Sequence, residues 1–252
     1  MLKAGIYVDA ENLKRSGGYG MRYDVLRDFV GSHGQYTVLR SNSYLAVDKE
    51  QPEGSPYMVK LSKYLKILRR CGFKIVEKPV KRYTAEDGSV ATKANADMDL
   101  AIDCILQAKN LDRVVLLTGD GDFVRLVVAL QNMGCRVDII SFDNVSRDLR
   151  ESADSYISGY LVPGLLPFPA SKKGDWYRGC VTNYDSDKGF GFMEYFVKKG
   201  NEFVREEIFF HASNTPTNGR DIHIGRTIYN FMISDGNGDK IQAVSLDIAT
   251  NG

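Results

Sequence analysis

The chain has 252 residues, 43% hydrophobic and 26% charged, with a formal net charge of +1. That length holds one large domain or two ordinary ones, and the near-zero charge excludes a global field for nucleic acid, so any basic surface must be local. Cys71, Cys104, Cys135 and Cys180 form no C-x-x-C pair and fit no zinc pattern, so free thiols in a reducing compartment are expected. With no signal peptide and no run long enough to span a membrane, the expected location is cytoplasmic, with no membrane partner.

Ala4 to Val8 reads as a first buried strand that ends in an acid, Asp9, followed by Ala10-Glu11-Asn12 and a Gly-rich turn at Gly17-Gly18. Tyr23 to Val30 reads as a helix and Tyr36 to Leu45 as a second strand. A polar loop over 48–56 follows. Tyr57, Leu61, Tyr64, Leu65 and Leu68 then mark an amphipathic helix ending at Cys71-Gly72, and Phe73 to Glu77 a third strand. Lys78 to Tyr83 is strongly basic, with a turn at Glu86-Asp87-Gly88-Ser89 and Lys93 beyond it. Taken by itself, such a cluster is more often just a solvated surface. Asn95 is a candidate cap for a helix that opens on Asp97 and Asp99; Asp99 and Asp103 share a face.

Val114 to Leu117 is a short apolar run that ends abruptly in Thr118-Gly119-Asp120-Gly121-Asp122. This is a strand buried on both faces handing over to a helix, in which Phe123, Leu126, Val127, Leu130 and Met133 recur and Gly134 closes the pattern. Arg136 to Ser141 is a fifth strand, and Ser146 caps a last helix expected to run past Leu149, Ala153 and Tyr156. The alternation predicts parallel β-α units in a doubly wound sheet. In such sheets ligands bind where strands hand over to helices, and three such places carry acids: Asp9, the Asp97 region and Asp120 with Asp122. Paired carboxylates on a tight loop repel, and a hard cation relieves that. The plainer alternative is that Asp122 caps a helix and Asp120 makes a turn.

Leu161 to Pro169 holds three of the seven prolines and reads as an ordered linker. Beyond Gly174 the pattern becomes short aromatic and β-branched runs between Asp, Gly and Asn turns. Cys180 to Tyr184, Phe190 to Tyr195, Glu207 to His211, Thr227 to Ile233 and Ile241 to Ile248 predict a small all-β barrel. The expected division is a first domain over 1–160, a linker over 161–174 and a barrel over 175–252.

The first domain resembles the NYN domain, a PIN-like nuclease fold, in its LabA-type branch. The matching pieces are Val8-Asp9-x-x-Asn12, then Lys93 ahead of Asp97-x-x-Leu100-x-x-Asp103. Leu117 to Phe123 and Gly134-x-x-Val137 follow, and Ser146-x-x-Leu149-x-x-x-Ala153-Asp154-x-Tyr156 comes last. The resemblance implies metal-dependent RNA cleavage, with Asp9, Asp97, Asp120 and Asp122 as ligands of Mg²⁺ or Mn²⁺ and Asn12 orienting Asp9 or the phosphate. Asp99 joins the candidate catalytic set, and Asp103 is a weaker member. Lys81, Arg82 and Lys93 are candidate guides for the RNA backbone; Lys93 stands one residue further from Asp97 than is usual in the family.

The tail resembles a cold-shock domain, an OB-type barrel. Lys188-Gly189-Phe190-Gly191-Phe192 matches its first RNA-binding motif and Ile208-Phe209-Phe210-His211 its second. In that family, aromatics of adjacent strands stack on unpaired bases, which makes Lys188, Phe190, Phe192, Phe209 and His211 the candidate single-stranded RNA surface. Asn183 stands where the family usually has tryptophan, which removes one stacking surface. The alternative for these rings is barrel core or a domain interface. The expected function is a Mg²⁺- or Mn²⁺-dependent ribonuclease, endonucleolytic in type, with an attached single-strand RNA-binding barrel. The rival is a non-catalytic RNA-binding adaptor that keeps the fold; a DNA-directed nuclease is a lesser rival. Self-association and a protein partner are both left open.

Overall fold

The computed structural model describes residues 1–32, 36–84, 90–93, 95–172, 174–235 and 241–250, with the side chains of 81–84, 90–93 and 235 left aside. The first strand, β1 (Leu2–Asp9), leads into α1 (Ala10–Arg15) and α2 (Tyr23–Gly31), then β2 (Tyr36–Val47), α3 (Pro56–Arg70) and β3 (Lys74–Pro79). A small antiparallel hairpin of β4 (Lys81–Thr84) and β5 (Val90–Lys93) stands apart from the main sheet. Next come α4 (Asp97–Ala108), β6 (Arg113–Leu117), α5 (Val124–Asn132), β7 (Arg136–Ser141), α6 (Arg147–Ser152) and β8 (Ser155–Ser158).

The main sheet runs β3-β2-β1-β6-β7-β8, and every pairing in it is parallel. Val114, Val115, Leu116 and Leu117 are almost wholly buried, as a strand covered on both faces requires. Alternate residues feed two cores. Ile6, Val8, Val115, Leu117 and Ile140 pack with Leu13, Leu26 and Leu68 of α1, α2 and α3. Tyr7, Val114, Leu116, Val137 and Ile139 pack with Leu100, Leu126 and Leu149 of α4, α5 and α6. The sheet is therefore doubly wound, and the order reverses between β1 and β6.

Two local expectations are corrected. The last helix stops at Ser152, and Tyr156 lies in β8, paired with Ile139. Asp97 follows the β4–β5 hairpin, so it reaches the sheet from a helix start and not from a strand end. The short helix α1 is not expected from the sequence pattern, and α3 begins one residue before that pattern. Asp9 caps α1, and Ser55 caps α3 with Pro56 in its first turn.

The second lobe is a closed barrel of β9 (Trp176–Asp185), β10 (Phe190–Lys199), β11 (Glu202–His211), β12 (Ile228–Asp235) and β13 (Ile241–Thr250), in the order β10-β11-β13-β12-β9. Its core holds Val181, Met193, Tyr195, Ile208, Phe210, Tyr229 and Phe231. Helices α1 to α3 line one end of their face of the sheet. At the other end the barrel supplies cover: Cys180, Phe196, Phe203 and Ile228 belong to the same apolar cluster as Ile140 and Ile157. Phe29 of α2 meets Phe196 and Phe203 edge to face, at 5.8 and 5.2 Å between ring centres. The proline-rich connection is docked as well. Leu161, Val162 and Leu165 are buried in that cluster, and Leu165 O accepts Arg22 N at 2.8 Å.

Candidate functional site

Asp9 ends β1 and Thr118-Gly119-Asp120 follows β6, so the two loops face each other at the point where strand order reverses. Open α/β sheets bind ligands outside the carboxyl ends of their strands at this point. Asp9 is 6% exposed. Its Oδ1 accepts the Asn12 N–H at 3.0 Å, and its Oδ2 accepts the Thr118 hydroxyl at 3.0 Å. The Asn12 side chain reaches across the gap, its Oδ1 accepting the Gly119 N–H at 2.9 Å. Asp120 N–H donates to Thr118 Oγ1, and Asp122 N–H donates to Asp120 Oδ1 at 3.0 Å. Thr118, buried and central to this chain of bonds, was visible in the sequence only as one letter of the motif; its placement between two acids needs the fold.

The glycines have steric causes. A Cβ on Gly119 would lie 3.1 Å from Asn144 O, and one on Gly121 would lie 2.8 Å from Ser146 Oγ. The loop at Asn144–Ser146 packs that tightly against the acidic loop, and Ser146 N–H donates to Gly119 O at 2.9 Å.

Burial pushes the Asp9 carboxyl up to about 6, and the neighbouring charges of Asp97 and Asp120 add to the rise against the two hydrogen bonds. Asp97 is also raised, first by burial and then by Asp120 and Asp122, with Arg15 acting the other way. Asn95 Oδ1 accepts the Asp97 N–H at 2.8 Å, so it holds the start of α4 from one place outside the capping position. The structure thus brings Asp9, Asp97, Asp120 and Asp122 within electrostatic reach of one another. Asp99 instead pairs with Lys78 Nζ at 2.8 Å, and Asp103 accepts the Tyr44 hydroxyl at 2.8 Å. Among the described residues no three potential ligands stand close enough to hold a metal ion as they are placed. The donor chemistry, hard carboxylate oxygens with excess negative charge, is that of Mg²⁺ and Mn²⁺ sites.

On the barrel, Phe190 opposes His211 and Phe192 opposes Phe209 across β10 and β11. The three phenylalanine rings lie 5.7–6.5 Å apart on the outer wall, outside the barrel core. His211 is exposed and bonds Ser213 through Nδ1; Lys188 is exposed beside Asp185. Gly191 faces inward, where a Cβ would lie 2.4 Å from Asn183 O and 2.8 Å from the Phe210 ring. The side chains of Lys81, Arg82 and Lys93, the turn at 86–89 and His33 lie outside the described residues.

The NYN domain model matches residues 3–165, more than half of the chain. The chain belongs to the NYN domain family. It is 30% identical over 89 residues to the low amplitude and bright protein LabA of Synechococcus elongatus, a match covering 34% of this chain and 48% of LabA, so about half the length of that relative is spanned. A crystal structure of a Vibrio parahaemolyticus protein of unknown function matches with a TM-score of 0.50 and 26% identity, over 62% of this chain and 92% of that one. NYN membership accounts for the doubly wound parallel sheet. The barrel begins beyond the matched residues.

Proposed function

We propose that this NYN protein is a divalent-metal-dependent ribonuclease whose barrel, read as a cold-shock-like OB domain, holds single-stranded RNA. The observation that carries the reading is the gathering of acids at the switch point of the sheet, where Asp9 feels the charges of Asp97 and Asp120, and Asp97 those of Asp120 and Asp122. Asp9, Asp97 and Asp120, with Asp122 at the rim, would hold Mg²⁺ or Mn²⁺. Such an ion, when bound, neutralises charge on the scissile phosphate and acidifies water.

The chain's own residues have separate tasks. Thr118 and the Asn12 N–H fix the Asp9 carboxylate in one rotamer. The Asn12 side chain ties the β1 and β6 loops together, which keeps the acids at the same edge. Gly119 and Gly121 let the Asn144–Ser146 loop pack directly against the acidic loop. Of the three histidines, His211 and His223 lie in the barrel lobe and His33 outside the described residues, so the proton-accepting side chains described at this edge are carboxylates. The outward Phe190, Phe192 and Phe209 offer apolar faces to unpaired bases, a recognition mode that does not depend on sequence.

The test is incubation of the full chain with labelled single-stranded RNA and Mn²⁺, with and without EDTA, beside Asp120→Asn. Cleavage should need Mn²⁺. The variant should lose about 10²-fold or more while keeping its melting temperature, since a Lewis acid supplies several kcal/mol. Metal-dependent cleavage unchanged in the folded variant contradicts the assignment. A wild-type chain that binds RNA and Mn²⁺ and leaves the RNA intact is instead an adaptor.

A further inference from the structure

A cavity of about 660 Å³ opens between the two lobes. Its lining includes Asn144 and Val145, the same residues that pack on Gly119 beside the acidic edge. Thr182, Glu194 and Phe196 of the barrel line it as well. Phe190, Phe192, Glu194 and Phe196 alternate along one outward face of β10, so the cavity and the aromatic platform share a wall. Phe192 and Phe196 stand about 13 Å apart along the strand, at ~3.3 Å per residue. Thr182 donates its hydroxyl to Phe192 O at 3.2 Å, which ties the two together.

The walls are basic. Arg147, Arg150, Arg205 and Arg226 face two acids, Glu151 and Glu194. Arg147 pairs with Glu151 at 2.7 Å and Arg205 with Glu194 at 3.1 Å. Arg150 lies over the Tyr156 ring at 4.3 Å, and among the described residues neither it nor Arg226 enters an ion pair. Two arginine charges from opposite lobes thus line one groove with no ion-pair partner among the described residues. Glu207 lies opposite Glu194 on the same outer face and adds a negative charge beside the platform, so the groove arginines are the better placed to meet a polyanion.

We propose that this groove carries the phosphodiester backbone of single-stranded RNA from the Phe190–Phe192–Phe209 platform to the acidic edge, with Arg150 and Arg226 as its phosphate contacts. The inference rests on the ribonuclease reading for its substrate but is tested by binding alone.

The experiment titrates the full chain with fluorescent single-stranded RNA of about 20 and of about 4 nucleotides in EDTA, over a range of salt, for wild type and Arg150→Gln/Arg226→Gln. The double variant should bind the long RNA more weakly, and the slope of log affinity against log salt should fall by about 1.4, at ~0.7 per lost phosphate contact. Binding of the short RNA should change little. An unchanged slope in a folded double variant overturns the proposal, as do equal losses on short and long RNA or a wild-type chain that binds no RNA. A wild-type chain that shows the groove-dependent slope but cleaves nothing with Mn²⁺ supports the groove and sinks the nuclease reading alone.

Discussion

Asp9 shows how one residue balances stability against chemistry. Its folded pKa of about 6 lies above the ordinary 3.8, because burial and the charges of Asp97 and Asp120 disfavour ionisation. In the metal-free chain the folded state therefore binds the proton more tightly than the unfolded state. The resulting stabilisation is fully present below about pH 3.8 and is lost as pH rises through about 6. About two units at ~1.36 kcal/mol each put the ceiling near 3 kcal/mol. Asp9→Asn removes the charge but turns an amide NH₂ toward one of two donors, so its gain falls short of that ceiling. The expected outcome in EDTA is a higher melting temperature than wild type at pH 7.5 and little difference near pH 4. Equal melting curves at both values would mean that Asp9 is not held under this electrostatic load.

At the scale of elements, the outward phenylalanines of β10 and β11 separate binding from folding. Phe190→Ala and Phe209→Ala should each weaken single-strand binding by about 1–3 kcal/mol, the range of a base–aromatic stack, with small changes in melting temperature. Gly191→Ala, on the inward face, should do the reverse. Backbone at 2.4 Å must shift, a cost of about 1–3 kcal/mol, and RNA affinity measured well below the melting temperature should hold. If Phe209→Ala melts as early as Gly191→Ala, the ring is structural. The parallel sheet and the barrel strands were legible in the sequence because strands buried on both faces leave long apolar runs and turns leave glycine. Strand β8 was not. Leu149, Ala153 and Tyr156 are spaced like one helix face, and both Leu149 and Tyr156 do pack in the same core, but from two different elements. The six-residue α1 was hidden too, since its buried residues are only Ala10 and Leu13. The acids of the site were readable from local motifs. The placing of Arg150 and Arg226 in one groove was not, because only the docking of the barrel brings residues so distant in sequence to the same cavity.

Across the whole molecule, the barrel replaces a covering layer that the sheet's own helices do not supply. Phe29, 1% exposed, reaches from the first lobe to two rings of the barrel, and a single apolar cluster runs from Ile6 through Ile157 to Phe203 and Ile228. Removing residues 175–252 would uncover that cluster, so the isolated first lobe should be aggregation-prone, and a truncation is a poor tool for separating binding from catalysis. A point change serves better. Trp176, the only tryptophan, sits in the barrel on β9, so its fluorescence reports that lobe while far-ultraviolet circular dichroism reports both. In the wild-type chain the two signals should fall together in one transition. Phe29→Ala should lower stability by about 3–5 kcal/mol, the usual cost of a buried phenylalanine, and should pull the two transitions apart. Neither the barrel's own core nor any acid of the site includes Phe29, so a split melt locates the coupling in this interface. Coincident, merely lowered transitions in the variant would show that the lobes stay joined without it, through the docked Leu161–Leu165 stretch and the Thr250 hydroxyl bonded to Asp143 at 2.6 Å.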